Sequence, residues 1–537
     1  MLFSAFACIF ALLRSTDIFT VDGAYRCFEV YRRQSLFFHG NNHMLYPVNV
    51  FVWARLADAV GLKPQGPLEF FSTVQLMNCF AGAGCLAILC LLMYLVTSSW
   101  RLALGATVGY GFSNAFIGQA TNAAEPLVGV FWSLLALFFA ALSFKEKSNW
   151  PVVASGFLFS LAMATYQSTI LLAPAAIVLI WRSRSQADSP TSGSSPRLLA
   201  VGAFALSGIF GSLLIYGWAY WLLGMRSPGA MLIHFFTHED ARTYLGVSIG
   251  KLLNVPIGLM RNIFHVVPQY IGIRDLLTTR RLAAACLLFL LLLFSAFSAF
   301  CAIRVLKRWN CLRPSVRCGL LSAAVGFAFT LIPVVIWEPQ YDKLWLQPLA
   351  CLAFLLAIAL NTFTRDTRSP FLVSRGVSIF LLAGVLSNLP WVLRSHRQEP
   401  IDMKEAQRVA GMIRKGDLVV GEWESVSALY GSIWGGDEQY FSFPTEAVLY
   451  GPDAISRLRE AISQANARGG RIYFLTVLDL PKQTWNSFLG SRCGVPYSEL
   501  DLYRAHSRVC ATFRTRSGQT SFETPLRQLI WPISTEP

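Results

Sequence analysis

The chain has 537 residues, 54% of them hydrophobic and 14% charged, with a net charge of +15 and a mean hydropathy of +0.48. Soluble domains carry about 25% charged residues, so this composition excludes a soluble globular protein and defines a multi-pass membrane protein. The basic surplus falls between apolar runs, as the positive-inside bias requires, and gives no support to nucleic-acid binding. Most of the 12 cysteines lie in or beside apolar runs, among them Cys79, Cys85, Cys90, Cys286 and Cys351. No C-x-x-C pair is present, so a structural zinc site is not expected and these cysteines read as small core residues.

A spanning helix needs about 20 apolar residues, fewer where helices break inside a bundle. In chain order the candidates are Leu2–Thr20, Ser72–Thr97, Leu102–Gly118, Pro126–Phe144, Pro151–Ala164, Thr169–Ile180, Leu199–Leu223, Leu282–Ile303, Cys318–Trp337, Leu344–Leu360 and Val373–Leu393. That is about eleven spans, an α-helical multi-pass fold. Arg101, Lys145, Lys147, Arg182, Arg184, Arg197, the stretch Arg304–Arg317, Arg365, Arg368 and Arg375 then fall on one face. The short opposite loops Gln119–Glu125 and Tyr166–Ser168 carry no basic residue. Merging Pro151–Ile180 into one helix would separate Lys145 from Arg182, so two short helices are expected there.

With this parity the N-terminus faces the cytoplasm and the first run is an uncleaved anchor. Outer loops cover residues 21–71 and 225–281, followed by Trp337–Lys343 and everything after Leu393. Val48–Val60 reads as a half-buried surface helix. Leu245, Leu252, Leu253, Ile257 and Met260 suggest interfacial helices within the second loop. Arg184–Pro196 (R-S-Q-A-D-S-P-T-S-G-S-S-P) is a linker by composition.

Character changes near residue 395, which separates a membrane domain (1–394) from a small extracytoplasmic α/β domain (395–537). Asp402–Lys415 and Asp453–Arg468 have helical periodicity, whereas Asp417-Leu-Val-Val and Arg471–Val477 read as buried strands. The alternation argues for a parallel sheet. Neither G-x-G-x-x-G nor a P-loop occurs, so a nucleotide role has no support. Cys493 and Cys510 lie in this polar C-terminal part and could form a disulfide if it is outside the cytoplasm.

The stretch Asp17–Pro47 is unusually rich in acids and histidines. Asp22 stands where the first helix leaves the membrane, and a carboxylate at a low-dielectric boundary can acquire the raised pKa of a general base. It can equally start the helix Gly23–Phe38, favoured by the macrodipole, with Arg26 as partner. Glu29 lies two turns on and has Arg33 at i+4. Asp17 sits close to Arg14 and reads as a paired charge. His39 and His43 bracket Gly-Asn-Asn, which disfavours the regular helix that an i, i+4 metal pair needs.

Glu125, followed by Pro126 at a first helical position, is either a macrodipole-favoured start or a site acid facing Asp22. Trp337-Glu-Pro-Gln-Tyr-Asp-Lys343 combines interfacial anchors with Lys343, a cation able to pair a lipid phosphate. Arg242, Arg261 and Arg274 are further phosphate candidates.

The order V-D-G-A-Y-R-C-F-E…H-G-N-N-H-M-L-Y-P, with E-P-L at residue 125 and Y-D-K-L-W-L-Q-P-L at residue 341, resembles the C-type membrane glycosyltransferases, the GT-C superfamily. Its protein O-mannosyltransferase-like branch has G-D-S-G-E-F followed by H-P-P-G-Y-P-L-Y. Here Asp22 and the His43…Pro47 stretch match, while D-S-G-E and H-P-P are absent. The resemblance implies a sugar transferase using a polyprenyl-phosphate sugar donor and an extracytoplasmic acceptor, by inverting displacement, in the bacterial inner membrane. It implies Asp22 as catalytic base. Glu125, His43, Tyr341, Lys343, Glu29 and His39 would be substrate-binding. The sequence requires no cofactor and gives no support to a divalent metal. A lipid or solute transporter expects internal repeats and mid-span ionisable residues, and neither is found; a non-catalytic scaffold would leave the acids unexplained.

Overall fold

The computed structural model describes the chain apart from residues 16–20, 34–42, 145, 147, 188–194, 223–226, 228–245, 266–275, 279, 365–369, 398–400, 422–424, 436–438, 491–492, 518–519 and 531–537. It opens with α1 (Leu2–Leu12), α2 (Val21–Arg33), α3 (Leu45–Ala59), α4 (Pro67–Thr97), α5 (Trp100–Gly111), α6 (Asn114–Ala120), α7 (Glu125–Leu142) and α8 (Trp150–Thr165). A 3-10 turn, Gln167–Leu172, leads into α9 (Ala173–Ala187) and α10 (Ser195–Leu222). Then follow α11 (Ile249–Ile263), α12 (Arg281–Lys307), α13 (Pro314–Ile336), α14 (Asp342–Thr364) and α15 (Pro370–Arg397).

The sequence explains where these helices begin. Pro67, Pro126, Pro151 and Pro314 occupy first-turn positions, where the missing N–H costs nothing and the fixed φ suits the helix. Among the described residues, six helices are long and apolar enough to cross a membrane: Pro67–Thr97, Glu125–Leu142, Pro196–Leu222, Arg281–Lys307, Pro314–Ile336 and Asp342–Thr362. Leu2–Leu12, Trp150–Thr165 and Gln167–Ser183 are shorter apolar helices. Leu206, Phe210 and Leu213 on α10, and Leu288, Phe289 and Leu292 on α12, are exposed. Rows of large apolar side chains facing outward suit lipid rather than water. The chain is an integral membrane protein.

Among the described residues, α-helix occupies part of each expected apolar run. The Pro151–Ile180 region is broken as anticipated: α8 ends at Thr165, Tyr166 is extended, and the 3-10 turn restarts the chain. The run from Leu102 is also broken, at Phe112–Ser113, where the Ser113 hydroxyl caps α6. The first run is shorter than expected, ending as helix at Leu12. Residues 188–194 of the linker lie outside the described residues.

The chain then forms α16 (Ile401–Met412), β1 (Leu418–Gly421), α17 (Ser425–Ile433), β2 (Tyr440–Ser442), α18 (Phe443–Tyr450), α19 (Ala454–Ala467), β3 (Ile472–Leu475), β4 (Ser507–Ser517) and β5 (Thr520–Leu529). The sheet order is β2-β1-β3-β5-β4. Strand β1 pairs parallel with β2 and β3, but β5 runs antiparallel to β3 and to β4. The sheet is therefore mixed, not wholly parallel. The reason is the hairpin β4–β5, with Ser517 opposite Thr520, whose second strand returns along the edge of β3. Cys493 and Cys510 are not joined: both are free, the first buried and the second exposed.

One apolar cluster joins the two parts of the chain. Phe28, Val30, Tyr46, Phe71 and Val74 pack with Met403, Val409, Val426, Leu429 and Tyr430. Helix α2 thus lies between the membrane bundle and the α/β unit.

Candidate active site

Buried amides fix how α1 leads into α2. The Ser15 N–H donates to the Thr121 carbonyl at 2.9 Å. Gln75 on α4 donates to the Ser15 carbonyl at 2.6 Å and the Thr121 carbonyl at 3.5 Å, and Asn78 donates to the Ala124 carbonyl at 2.7 Å. These donors satisfy backbone groups freed at the ends of α1 and α6, which a buried site could not otherwise tolerate. Arg14 extends the same anchoring by donating to the Ser72 hydroxyl at 2.7 Å.

Asp22 is the second residue of α2. Its neighbour Gly23 lies so close to the Ala123 carbonyl that any Cβ would collide with it. Only glycine permits that approach. The first turn of α2 is thereby pressed against the loop that delivers Glu125. The Asp22 side chain lies outside the described residues, as do Asp17, His39, Arg242 and Arg274.

Glu125 is the first residue of α7 and is 2% exposed. Its Oε1 is 3.5 Å from Arg26 Nη1 and 3.7 Å from His43 Nε2. The Arg26 guanidinium reaches across to Glu125; its expected pairing with Asp22 involves a side chain outside the described residues. His43 stacks on Tyr166, ring centroids 5.0 Å apart, and its Nδ1 is 3.2 Å from the Thr165 carbonyl. A carbonyl can only accept, so Nδ1 carries a hydrogen. A neutral ring would then turn its Nε2 lone pair toward the Glu125 carboxylate. Attraction between the two requires a further proton on the pair. Beside them, burial pushes the Cys27 thiol up to about 12, and raises the Tyr46 hydroxyl well above its usual range. Both stay protonated at neutral pH, which removes Cys27 as a nucleophile.

Glu29 is 3% exposed. Arg32 donates to both its oxygens at 2.8 and 2.9 Å, and Arg33 donates to Oε2 at 3.2 Å. Arg32 also donates to the Gly435 carbonyl at 2.6 Å. The Glu29 carboxylate is therefore buried and paired with both Arg32 and Arg33. It orients a guanidinium that ties α2 to the α/β unit.

A second polar group surrounds the Trp337–Lys343 loop. Arg261, 4% exposed, donates to Gln340 Oε1 at 2.7 Å. Gly258 on α11 abuts the Pro339 carbonyl, to which Trp345 donates at 2.8 Å. Lys343 lies 5.5 Å from the centroid of the Tyr341 ring, a cation–π arrangement. Asp342 caps α14 by accepting from the Lys343 N–H at 2.8 Å, while its other oxygen accepts from Gln119 at 2.9 Å.

Four polar residues that sequence reasoning passed over complete this group: Asn114, Gln119, His265 and Asn388. His265 stacks on Trp391, centroids 4.7 Å apart. Its backbone N–H donates to Asn388 Oδ1 at 2.6 Å, and its Nδ1 lies 3.2 Å from Asn114 Oδ1. Burial and the nearby Arg261 lower the His265 pKa to about 4. A usable signal existed: Asn114 and Asn388 are amides inside otherwise apolar runs, where polar groups mark function or fixed packing.

Glu125, His43, Arg261, Tyr341, Lys343 and the start of α2 all sit at one end of the bundle. Contacts at the opposite end, such as Asn361 to the Thr97 carbonyl at 3.2 Å and Ser143 to Ser183 at 2.9 Å, fit the alternation of spans inferred from charge. Among the described residues, no three His, Cys, Asp or Glu side chains group closely enough to hold a metal ion.

No protein-family profile and no curated protein sequence matches the chain. Solved structures do. ArnT from Cupriavidus metallidurans bound to undecaprenyl phosphate is 12% identical with a TM-score of 0.55, covering 99% of this chain and 98% of that one. The Archaeoglobus fulgidus oligosaccharyltransferase in its apo form is 12% identical with a TM-score of 0.53, over 98% of this chain and 76% of that one. The same oligosaccharyltransferase, tethered to an acceptor peptide containing the NVT sequon, gives a TM-score of 0.51 at 12% identity, over 98% and 75%. Both proteins are GT-C glycosyltransferases. This chain has the GT-C fold, carried by a multi-pass helical membrane unit followed by a small α/β unit.

Proposed function

We propose that the protein is a membrane glycosyltransferase that moves a sugar from a polyprenyl-phosphate-linked donor to a glycan, lipid or protein acceptor outside the cytoplasm. The observation that carries this reading is the packing of the first turn of α2 against residues 123–124. It brings the backbone of Asp22 beside buried Glu125 at one end of a GT-C bundle. The undecaprenyl phosphate in the ArnT structure supports a lipid-linked donor, and the tethered peptide of the oligosaccharyltransferase supports a separate acceptor.

The inverting displacement runs as follows. The Asp22 carboxylate takes the proton of the acceptor hydroxyl, whose oxygen attacks the anomeric carbon. The bond from that carbon to the phosphate oxygen breaks, and polyprenyl phosphate leaves with the electron pair. Lys343, backed by the Tyr341 ring, and Arg261 steady the departing phosphate. Glu125, His43 and His39 orient donor or acceptor. Glu29 acts at one remove, through Arg32. The active face lies outside the inner (plasma) membrane, and residues 1–394 and 395–537 are the catalytic and appended domains.

The test is Asp22→Asn in isolated membranes supplied with radiolabelled polyprenyl-phosphate sugars. Transfer should be lost with expression and insertion intact. Normal transfer by the variant would sink the assignment.

A further inference from the structure

The group around His265 has a definite proton arrangement. Asn114 Nδ2 donates to the Arg261 carbonyl at 3.1 Å, which fixes the orientation of that amide. Its Oδ1 therefore faces His265 and can only accept, so Nδ1 of the ring is the donor. Asn388 is fixed in the same way, donating to the Phe112 carbonyl at 2.6 Å and the Ile263 carbonyl at 2.8 Å while accepting from the His265 N–H. With Asn114 at Nδ1, Trp391 against one face and the backbone N–H tied to Asn388, the ring is held in one tautomer. Burial and the Arg261 guanidinium oppose a second proton. What is left is an imidazole Nε2 lone pair of fixed direction that makes no hydrogen bond with a described residue.

The surroundings are rich in acceptors. A Cβ at Gly118 would meet Trp391 at 3.6 Å and Asp342 Oδ2 at 3.9 Å, so the Trp391 ring and the Asp342 carboxylate flank the same point of α6. Gln119 is 1% exposed, gives its Nε2 to Asp342, and has a buried Oε1 with no hydrogen-bond partner among the described residues. Gln119 lies about 8 Å along α6 from Asn114. His265 Nε2, Gln119 Oε1 and the Asp342 carboxylate all call for donors. Arg261 disfavours a cationic donor, which leaves uncharged donors such as the hydroxyls of a sugar.

We propose that His265 is a sugar-hydroxyl binding residue, its Nε2 accepting a hydrogen bond from a glycosyl ligand at the junction of α6, α11, α14 and α15. The class of ligand rests on the proposed function; the tautomer and the open Nε2 do not. The hydroxyl belongs either to the lipid-linked donor sugar or to an unlinked glycan, and the experiment separates these sources.

The purified full chain in lipid nanodiscs, carrying Asp22→Asn so that nothing turns over, is labelled with 15N-histidine and treated with diethyl pyrocarbonate, which acylates neutral imidazole nitrogens. His265 is expected to give the 15N signature of the Nδ1–H tautomer at pH 7 and to be acylated. Polyprenyl-phosphate sugar should slow acylation at His265 severalfold, with polyprenyl phosphate alone without effect, if the donor supplies the hydroxyl. Slowing by methyl glycosides instead assigns the site to the acceptor. An Nε2–H or doubly protonated ring, or acylation indifferent to every sugar tested, overturns the proposal. In the chain with native Asp22, His265→Asn keeps a donor toward Asn114 and removes the acceptor. The KM for the ligand concerned should rise about 3- to 10-fold with kcat little changed, the loss of one hydrogen bond. His265→Gln, which restores an acceptor near Nε2, should recover most of it. Equal losses in both variants would also overturn the proposal. If transfer fails to be found at all, the tautomer and protection measurements still decide the question.

Discussion

Two polar groups occupy the same end of this bundle, and they are built differently. The one at Glu125 is made of charges: an acid 2% exposed, with Arg26 and His43 within 4 Å. The one at His265 is made of amides and a neutral ring, with its charges, Arg261 and Asp342, held by Gln340 and Gln119. A group of charges stores its function in where the protons and counter-charges are, so removing one member leaves an uncompensated charge in an apolar setting. A group of amides stores it in direction, because each amide is a donor on one side and an acceptor on the other. The first should respond steeply to neutralising substitutions, and the second to substitutions that keep polarity and change geometry.

The largest effect expected on the charged side is at Asp22. Its conversion to Asn should lower transfer by about 10²- to 10⁴-fold, the contribution of a positioned base, as measured by label transfer in membranes. Next is Glu125→Gln, which strands Arg26. It should cost about 3–5 kcal/mol of stability, read from thermal unfolding in detergent, and the double variant with Arg26→Met should regain part of this. If Glu125→Gln is as stable as the native chain, the contrast between the two groups collapses.

Arg32→Ala removes the bond to the Gly435 carbonyl and leaves Glu29 with Arg33 alone. A charge-assisted bond is worth about 1.5–3 kcal/mol, and its loss should speed proteolytic release of the part after residue 395 without abolishing label transfer.

The smallest effect concerns pH. The His265 pKa is lowered to about 4 in the fold, chiefly by burial, against about 6.5 in the unfolded chain. The unfolded chain therefore binds the extra proton first. The stability this residue contributes is complete above about pH 6.5 and declines as pH falls toward 4, by at most about 1.4 kcal/mol per pH unit. His265→Asn should flatten that part of the profile, and an unchanged slope would show that the amide cage does not hold the ring neutral.

Two members of the charged group were legible in the sequence, because His43 and Glu125 stand out in a chain that is only 14% charged. The basic residues between runs led to the expected break between Pro151 and Ile180, and first-turn prolines marked helix starts. The partnership of Arg26 with Glu125 was not legible, since local spacing offers Asp22 and says nothing about a helix pressed against another loop by a missing Cβ. The amide group was missed because asparagine and glutamine carry no charge to betray them, and their meaning lies in which carbonyls they reach. Asn388 reaches Ile263 across 125 positions. The mixed sheet was misread as parallel although the alternating runs on either side of Gly518-Gln519 carried a hairpin signal; a helix–strand rhythm earlier in the domain outweighed it.

The Arg32–Gly435 bond joins residues 403 positions apart in the chain, and Phe28, Val30 and Tyr46 share their core with residues beyond 400. During synthesis, helix α2 therefore cannot finish burying its inner face until residues beyond 400 have been made. The start of α2, with the backbone of Asp22, is thus completed only by residues made long after it.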